Sequence, residues 1–313
     1  MPKLVYLHSN YQYPDLLRQT PGNDGTWKDL KFVTSDVEEC DYIVVLNQPT
    51  KDLKIKVRAG GRILIIQEPP YQRNNYLISY FKFFDKIIAG FDPKDAPGVI
   101  NLPAALPWLI DRDYQQLISL EPGQDKKDAV SWVTSNSNVN PGHAPRLVLL
   151  EMIRQRNMPV DIFGRGIKAI TDKFDGLYPY KYTLAVENYS SENYWTEKIS
   201  DAYLSWTMPI YYGCLNIEKY FPANSFVKID INAPEEAIEI INQTVADKLW
   251  DKNRDSIREA RDLVLNKYQL FPFIHELVHA DQAPAKKIIS RIPYDPNRRV
   301  NPMLKLGKFL RNH

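Results

Sequence analysis

Short apolar runs punctuate the first half of the chain: KLVYLHS (3–9), DYIVVLN (41–47), RILIIQE (62–68) and KIIAGF (86–91), each of strand length and rich in Val and Ile. Near-continuous apolar runs suit strands covered on both faces, so the pattern predicts short parallel strands with connecting helices in one open α/β domain. Between the first two runs, DLLRQTPGNDGTWKDLKF carries a PGNDG turn that interrupts any long helix. From Gly98 to Asp128 the pattern loosens. Pro97, Pro103, Pro107 and Pro122 break it up, and EPGQDKKD (121–128) reads as a charged turn without apolar period, which places a hinge here.

After the hinge, VSWVTSN predicts a strand, APRLVLLEMIRQR a helix with proline near its start, and VDIFGR another strand. The stretch from Tyr182 to Ile231 then reads as a buried strand (TLAV), the polar and aromatic loop ENYSSENYW, a helix with Ile199, Ala202, Tyr203 and Trp206 at i, i+3, i+4 and i+7, and the strand MPIYYG closed by Gly213. FVKIDI reads as a further strand. APEEAIEIINQTVADKLW and residues 251–268 read as two helices, the first with acidic residues in its opening turn, where the helix dipole favours them. The second half is thus another α/β domain. The tail beyond Ile292 is basic and broken by prolines. Its MLKLGKFL segment has the pattern of a piece that lies on an anionic membrane, although a frayed terminus accounts for it as well.

In a strand, loop, helix, strand unit the strand's carboxyl end and the helix's amino end face one crevice. Glu187 and Asn188 stand at the strand end, and Tyr194, Glu197 and Lys198 where the helix begins. A carboxylate there suits ribose or sugar hydroxyls and a lysine suits a diphosphate, with helix N–H groups adding to the positive field. A Glu-Lys pair in a first turn is by itself most often a solvated face. The loop Ser135, Asn136, Ser137, Asn138, Asn140 directly follows a strand and offers side-chain and backbone donors, or simply makes a turn. Asp111-Arg112-Asp113 has a metal-diphosphate look but sits in the hinge, away from any strand end, and is read as solvated surface. His143 is read as incidental.

Composition narrows the class. The chain has 313 residues, 44% of them hydrophobic and 25% charged, with a formal net charge of +2. That is ample for two cores, and it is too close to neutral, without a stripe of basic and aromatic residues, for a nucleic-acid partner. Cys40 and Cys214 are too few and too far apart for a disulfide framework, and no zinc site is expected of them. With MPKLVYLHSNYQY lacking the apolar length of a leader or anchor, the expected location is the cytoplasm, at most peripheral to the inner face of the membrane through the tail. No P-loop, GxGxxG or GxSxG is present, and kinase, dehydrogenase and serine hydrolase chemistry are set aside, zinc-protease chemistry with them.

The run VENYSSENYWTEKISDAYLSWTMPIYYG resembles the core signature of the α-1,3/4-fucosyltransferases, glycosyltransferase family 10: Glu-Asn, a short polar loop, Tyr-x-Thr-Glu-Lys, a helix, then a Pro-containing strand. The spacing from Glu187-Asn188 to Thr196-Glu197-Lys198 matches without a gap, and the likeness extends from Ser131 to Ile231. It implies a GT-B type α/β fold, two facing Rossmann-like domains with the active site in the cleft between them, in a short soluble form. The domains would be residues 1–125 on the acceptor side and 126–290 on the GDP-sugar side, with 291–313 as the basic tail. It implies an inverting transfer of L-fucose from GDP-β-L-fucose to an acceptor oligosaccharide or glycoconjugate. The α-1,3 linkage to GlcNAc or Glc of an N-acetyllactosamine, lactose-like or lipopolysaccharide acceptor comes first. No obligatory cofactor or metal is implied. Arg146 and Lys198 would hold the departing GDP, and Glu68, after the third strand-like run, matches the family's base, although Pro69 follows where the family has another context. Ser135, Asn136, Glu187, Asn188, Tyr194 and Glu197 would bind the donor, and Lys181 would be structural. A related GT-B enzyme using another GDP-sugar or nucleotide-sugar, or an inactive glycan-binding relative, stays open as an alternative.

Overall fold

The structure, a computed structural model, describes residues 2–11, 15–91, 98–136, 143–280 and 286–295. Ser137, Asn138 and Asn140 of the polar loop, Pro97, and the MLKLGKFL segment lie outside the described residues. The chain divides into two compact units, Met1–Pro107 with Arg112–Ile118 and Gln269–His313, and Trp108–Asp111 with Ser119–Tyr268.

The first unit opens with strands β1 (Lys3–His8), β2 (Thr26–Trp27), β3 (Leu30–Val33), β4 (Tyr42–Leu46), β5 (Leu53–Arg58), β6 (Arg62–Ile66), β7 (Lys86–Ala89) and β8 (Val99–Asn101). Its main sheet runs β2-β3-β1-β4-β6-β7-β8, parallel throughout except for the β2–β3 hairpin. All four apolar runs of the sequence are strands of this sheet. Strand residues alternate between faces. Val5, Leu7, Val44, Leu46, Ile63 and Ile65 therefore enter one core, and Tyr6, Ile43, Val45, Leu64 and Ile66 the other.

The expected connecting helices are largely replaced. Leu16–Gln19 and the twelve-residue Gln72–Phe83 are 3₁₀ segments, and the latter buries Leu77 and Tyr80 three positions apart, the repeat of a three-residue turn. The first α-helix, α1 (Tyr114–Ile118), belongs to this unit. Asp113 accepts a hydrogen bond from the Gln116 backbone N–H at 2.7 Å, so the Asp111-Arg112-Asp113 triplet works in part as a helix start.

The second unit holds β9 (Lys127–Val133), helix α2 (His143–Gln155), β10 (Val160–Phe163), β11 (Tyr180–Val186), α3 (Glu197–Leu204), β12 (Met208–Tyr212), β13 (Val227–Lys228), α4 (Pro234–Ala246), α5 (Leu249–Lys252) and α6 (Arg254–Leu263). Its sheet, β10-β9-β11-β12-β13, is parallel throughout. Trp206, expected on the helix, lies past the α3 C-cap Ser205 with φ +54°, and its indole N–H donates to the Leu120 carbonyl at 2.7 Å. The chain goes from β9 to β10 on one side and then crosses back past β9 to β11 on the other, so the strand order reverses between β9 and β11. In open α/β sheets the crevice at such a reversal is the usual ligand position.

The chain then leaves this unit: α7 (Leu270–His279) and β14 (Lys287–Ile292) belong to the first. This corrects the expected boundaries. Leu270, Phe271, Phe273, Ile274 and Val278 of α7 enter the core with Val5 and Leu7, and β14 pairs antiparallel with β5. The apolar face of α7 and the open edge of β5 both find their partners there, and the chain first passes to the second unit at Trp108, returns for Arg112–Ile118 and leaves again at Ser119, rather than dividing at residue 125. The expectation of two Rossmann-like α/β units is met. No helix among the described residues is long and apolar enough to cross a membrane.

The charged turn EPGQDKKD hides a buried group. Lys126, 7% exposed, donates to the carbonyls of Tyr178, Tyr180 (3.0 Å) and Ser205 (3.1 Å) and to Thr207 Oγ1 (3.3 Å). It ties the start of β9 to the lead-ins of β11 and β12. Lys126→Met keeps the apolar stem and removes the donors, and it is expected to cost about 3 kcal/mol, read as a lower midpoint in urea at unchanged slope. A midpoint equal to that of the wild type would show that the ammonium contributes nothing net.

Candidate functional site at the β9–β11 switch point

The β11 ladder runs one residue past its last strand residue, since the Glu187 N–H donates to the Tyr212 carbonyl at 2.8 Å. The Glu187 side chain is wholly buried, and both its oxygens are engaged. The Thr196 N–H donates to Oε1 at 2.8 Å, the Thr196 hydroxyl lies 2.8 Å from both oxygens, and Lys198 Nζ donates to Oε2 at 3.0 Å. Thr196 is also the N-cap of α3, its hydroxyl oxygen accepting from the Lys198 backbone N–H and from Lys198 Nζ at 3.0 Å. One threonine thus fastens the helix start to the strand end.

The ion pairs continue along α3. Glu197 lies 3.6 Å from Lys198 and 3.9 Å from Lys173, and Lys173 pairs at 2.7 Å with Asp201, which is wholly buried and accepts from the Leu109 N–H at 3.1 Å. Burial pushes the Glu187 carboxyl above the ordinary carboxylate range, although Lys198 draws it down. Burial also opposes the charge on Lys198, but Glu187 and Glu197 outweigh it and hold the ammonium above its ordinary pKa. Burial likewise works against ionisation of Glu197. There the two lysines prevail and hold it below the ordinary range, whereas Asp201 is raised by its burial. Lys198 is therefore a fixed cation. Its side chain keeps 27% exposure and that of Glu197 15%, against 0% for Glu187.

The loop between is anchored at several points. Ser190 Oγ donates to the Gly213 carbonyl at 2.7 Å, and the Leu215 N–H donates to the Ser191 carbonyl. Asn193 and Asn216 exchange two hydrogen bonds at 2.9 Å. Trp195 packs among Tyr220, Phe221 and Tyr268. Tyr194 is 6% exposed and meets Tyr189 edge to face at 5.3 Å, while Asn188 is half-buried. Gly213, at φ +150°, closes the wall behind Glu187: an added Cβ meets Glu187 Cγ at 2.4 Å.

Across the strand-order reversal, Arg146 on α2 is 4% exposed rather than on a helix surface. Its Nη1 donates to Thr134 Oγ1 and, at 2.7 Å, to the Ser135 carbonyl, and burial lowers its pKa. It is close enough to Lys198 to oppose that lysine's charge. Ser135 is half-buried and Asn136 exposed, its side chain lying against Gly166. His143 is buried at the first residue of α2. Lys181 pairs with Asp128 at 2.6 Å and Asp251 at 2.9 Å, the structural role expected of it.

The second unit therefore brings Arg146, Ser135, Asn136, Glu187, Asn188, Tyr194, Glu197 and Lys198 to the carboxyl ends of two neighbouring strands and the start of α3. Glu68 belongs to the first unit, half-buried in the bend two residues beyond β6 rather than at its end. A direct contact of Glu187 with sugar or ribose is not what this geometry offers, because its oxygens already serve Thr196 and Lys198. Sequence reading placed Thr196 in the signature without a role and passed over Lys173 and Asp201. Asp201 stands at i+4 from Glu197, a spacing that puts both on one helix face. Lys173 comes from a 3₁₀ turn with no local signal.

The family described as Glycosyltransferase family 10 (fucosyltransferase) C-term matches residues 123–249. An alpha-(1,3)-fucosyltransferase of Helicobacter pylori is 35% identical over 119 residues, 37% of this chain and 24% of that protein. The human 4-galactosyl-N-acetylglucosaminide 3-alpha-L-fucosyltransferase 9 is 30% identical over 124 residues, 38% of this chain and 33% of that one. The chain thus spans a quarter to a third of the length of these relatives. Among solved structures, an alpha1,3-fucosyltransferase with GDP is similar at TM-score 0.47 and 20% identity, over 86% of this chain and 92% of that chain.

Proposed function

We propose, from the match of residues 123–249 to glycosyltransferase family 10, that the chain is an inverting fucosyltransferase of the GT-B type, moving L-fucose from GDP-β-L-fucose to a hydroxyl of an acceptor glycan. The observation that carries the reading is the Glu187–Thr196–Lys198 clamp, which fixes a partly exposed cationic group at a helix start beside the strand-order reversal. A leaving diphosphate needs fixed positive charge there, and Lys198, Arg146 and the α3 N–H groups supply it. Asn188, Tyr194 and Glu197 bind ribose and sugar hydroxyls, the 135–136 loop adds donors to the diphosphate, and Glu187 positions Lys198.

In the transfer, the acceptor oxygen forms a bond to the fucose anomeric carbon as that carbon's bond to the diphosphate oxygen breaks. GDP leaves with the electron pair, and the acceptor proton passes to a carboxylate. We assign Glu68 that role, because inversion needs a base on the face opposite the leaving group. The acceptor we assign is GlcNAc or Glc in an N-acetyllactosamine, lactose-like or lipopolysaccharide chain, linked α-1,3. The charge on GDP is met by side chains, so the transfer requires no metal.

The first test is ligand-induced stabilisation. GDP at about 100 times its dissociation constant is expected to raise the melting temperature by several degrees, with UDP, ADP and CMP giving no comparable shift. Incubation with GDP-fucose and N-acetyllactosamine should then yield fucosylated product. A larger shift with UDP, or none with any nucleotide, overturns the donor assignment. GDP binding with transfer from another GDP-sugar alone overturns fucose.

A further inference from the structure

Helix α7 carries His275-Glu276-Leu277-Val278-His279, two histidines one helical turn apart in the HExxH spacing, which corrects the setting aside of zinc motifs from the sequence. Both face a third ligand type. His275 Nε2 lies 3.0 Å from Asp29 Oδ1 and His279 Nε2 3.1 Å from Asp29 Oδ2, and the ligand atoms of the three residues fall within 4.8 Å of one another. Asp29 sits in the two-residue turn between β2 and β3, so all three residues belong to the first unit.

The hydrogen bonding around His279 fits a metal ligand. Its Nδ1 lies 2.9 Å from the His275 carbonyl, an oxygen that can only accept, so the ring proton is on Nδ1. The neutral ring then turns the Nε2 lone pair toward a carboxylate oxygen, which is repulsive unless a proton or a metal ion lies between them. Metal-bound histidines commonly donate the second ring N–H to a backbone carbonyl in this way. Ligand bonds of about 2.0–2.1 Å in a tetrahedral zinc site put neighbouring ligand atoms about 3.3 Å apart, close to the Nε2-to-carboxylate distances here. The two rings stack 4.0 Å apart, a poor arrangement for two imidazolium charges and a good one for two neutral ligands.

We infer that Asp29, His275 and His279 form a binding site for a divalent transition metal of the zinc type, joining α7 to the β2–β3 turn. Two imidazoles and a carboxylate favour zinc and its neighbours over magnesium or calcium. The Asp29 side chain is 51% exposed and that of His279 40%, which leaves room for water as a further ligand, while Lys28 beside them works against the cation. Glu276, which in this spacing would be a base and not a ligand, is exposed, and the inference concerns metal binding alone. The inference is independent of the transfer reaction, whose proposed donor-binding groups lie in the second unit.

The test uses tag-free full-length protein, stripped with EDTA and desalted. Titration with Zn²⁺ is expected to show one ion per chain with a dissociation constant on the order of micromolar or tighter, and the melting temperature to rise by about 5 °C. Co²⁺ should give the visible absorption of a low-coordinate nitrogen and oxygen site. Asp29→Asn with His279→Gln should weaken Zn²⁺ binding by at least about 100-fold, remove the rise, and leave the melting temperature of the stripped protein unchanged. Substoichiometric binding, an equal response to Mg²⁺, or a double variant that binds like the wild type overturns the site.

Discussion

Lys198→Ala is expected to lower kcat for transfer from the GDP-sugar by about 10³-fold, the cost of removing one fixed partner from a developing anion. The ammonium is held above its ordinary pKa by Glu187 and Glu197, so it is charged at every pH at which the protein is assayed, and its loss is not mimicked by raising the pH toward 9. The same substitution strands Glu187, buried and without its cation, at about 3–5 kcal/mol in stability. Burial already raises the folded pKa of Glu187, and removing Lys198 raises it further. A carboxyl with a raised folded pKa supports the folded state only while protonated. That contribution is complete below the unfolded value of about 4.3 and is lost as pH rises through the folded value. Lys198→Ala should therefore melt at a higher temperature near pH 5 than near pH 8, more so than the wild type does. Glu187→Gln with Lys198→Met removes both charges and is expected to recover much of the stability but none of the turnover. If Lys198→Ala keeps more than about a tenth of wild-type turnover, the leaving-group role of Lys198 is wrong.

How much of this was legible in the sequence depends on how local each signal is. β4 and β6 are continuous apolar runs bounded by polar residues, and any reading finds them. β5, LKIKVR, has the strict alternation of a half-buried strand and was passed over because it is not a continuous apolar run. What no local signal shows is its partner, β14, because that pairing spans most of the chain. The domain boundary failed for the same reason, since nothing local to LFPFIHELVH says which sheet its apolar face will cover. The functional cluster was legible where it is contiguous. Glu187 through Lys198 form one loop between a strand and a helix, so sequence neighbours are also spatial neighbours. What sequence cannot convey is the division of labour inside the cluster, in which Glu187 faces inward and Lys198 remains partly exposed. Lys126 shows the reverse error, a charge that belongs to the interior because four acceptors surround it.

A structural effect of comparable size is expected from Gly213→Ala, which tests the same clamp from behind. At φ +150° the backbone is one that side-chain-bearing residues rarely adopt, at about 1–3 kcal/mol. The new methyl meets Glu187 Cγ at 2.4 Å, Glu187 Cβ at 2.6 Å and Tyr211 Oη at 2.8 Å. None of these can withdraw freely. Glu187 is held by Thr196 and Lys198, and the Tyr211 hydroxyl accepts from the Cys214 N–H at 2.9 Å. Overpacking of this kind adds about 1–3 kcal/mol, and the sum of about 4 kcal/mol corresponds to a melting temperature lower by on the order of 10 °C. Gly22→Ala separates the two contributions. Gly22 also has a positive φ, +72°, but an added Cβ meets nothing within 4 Å, so only the backbone cost of about 1–2 kcal/mol remains there. The clash at residue 213 should also reach the chemistry. To make room, Glu187 must move, and Lys198 moves with it, so whatever Gly213→Ala protein folds at low temperature should bind GDP more weakly than wild type, whereas Gly22→Ala binds it equally. A melting temperature for Gly213→Ala within about 2 °C of wild type, with GDP affinity unchanged, would mean that Glu187 is free to give way and that the clamp does not hold Lys198 in place.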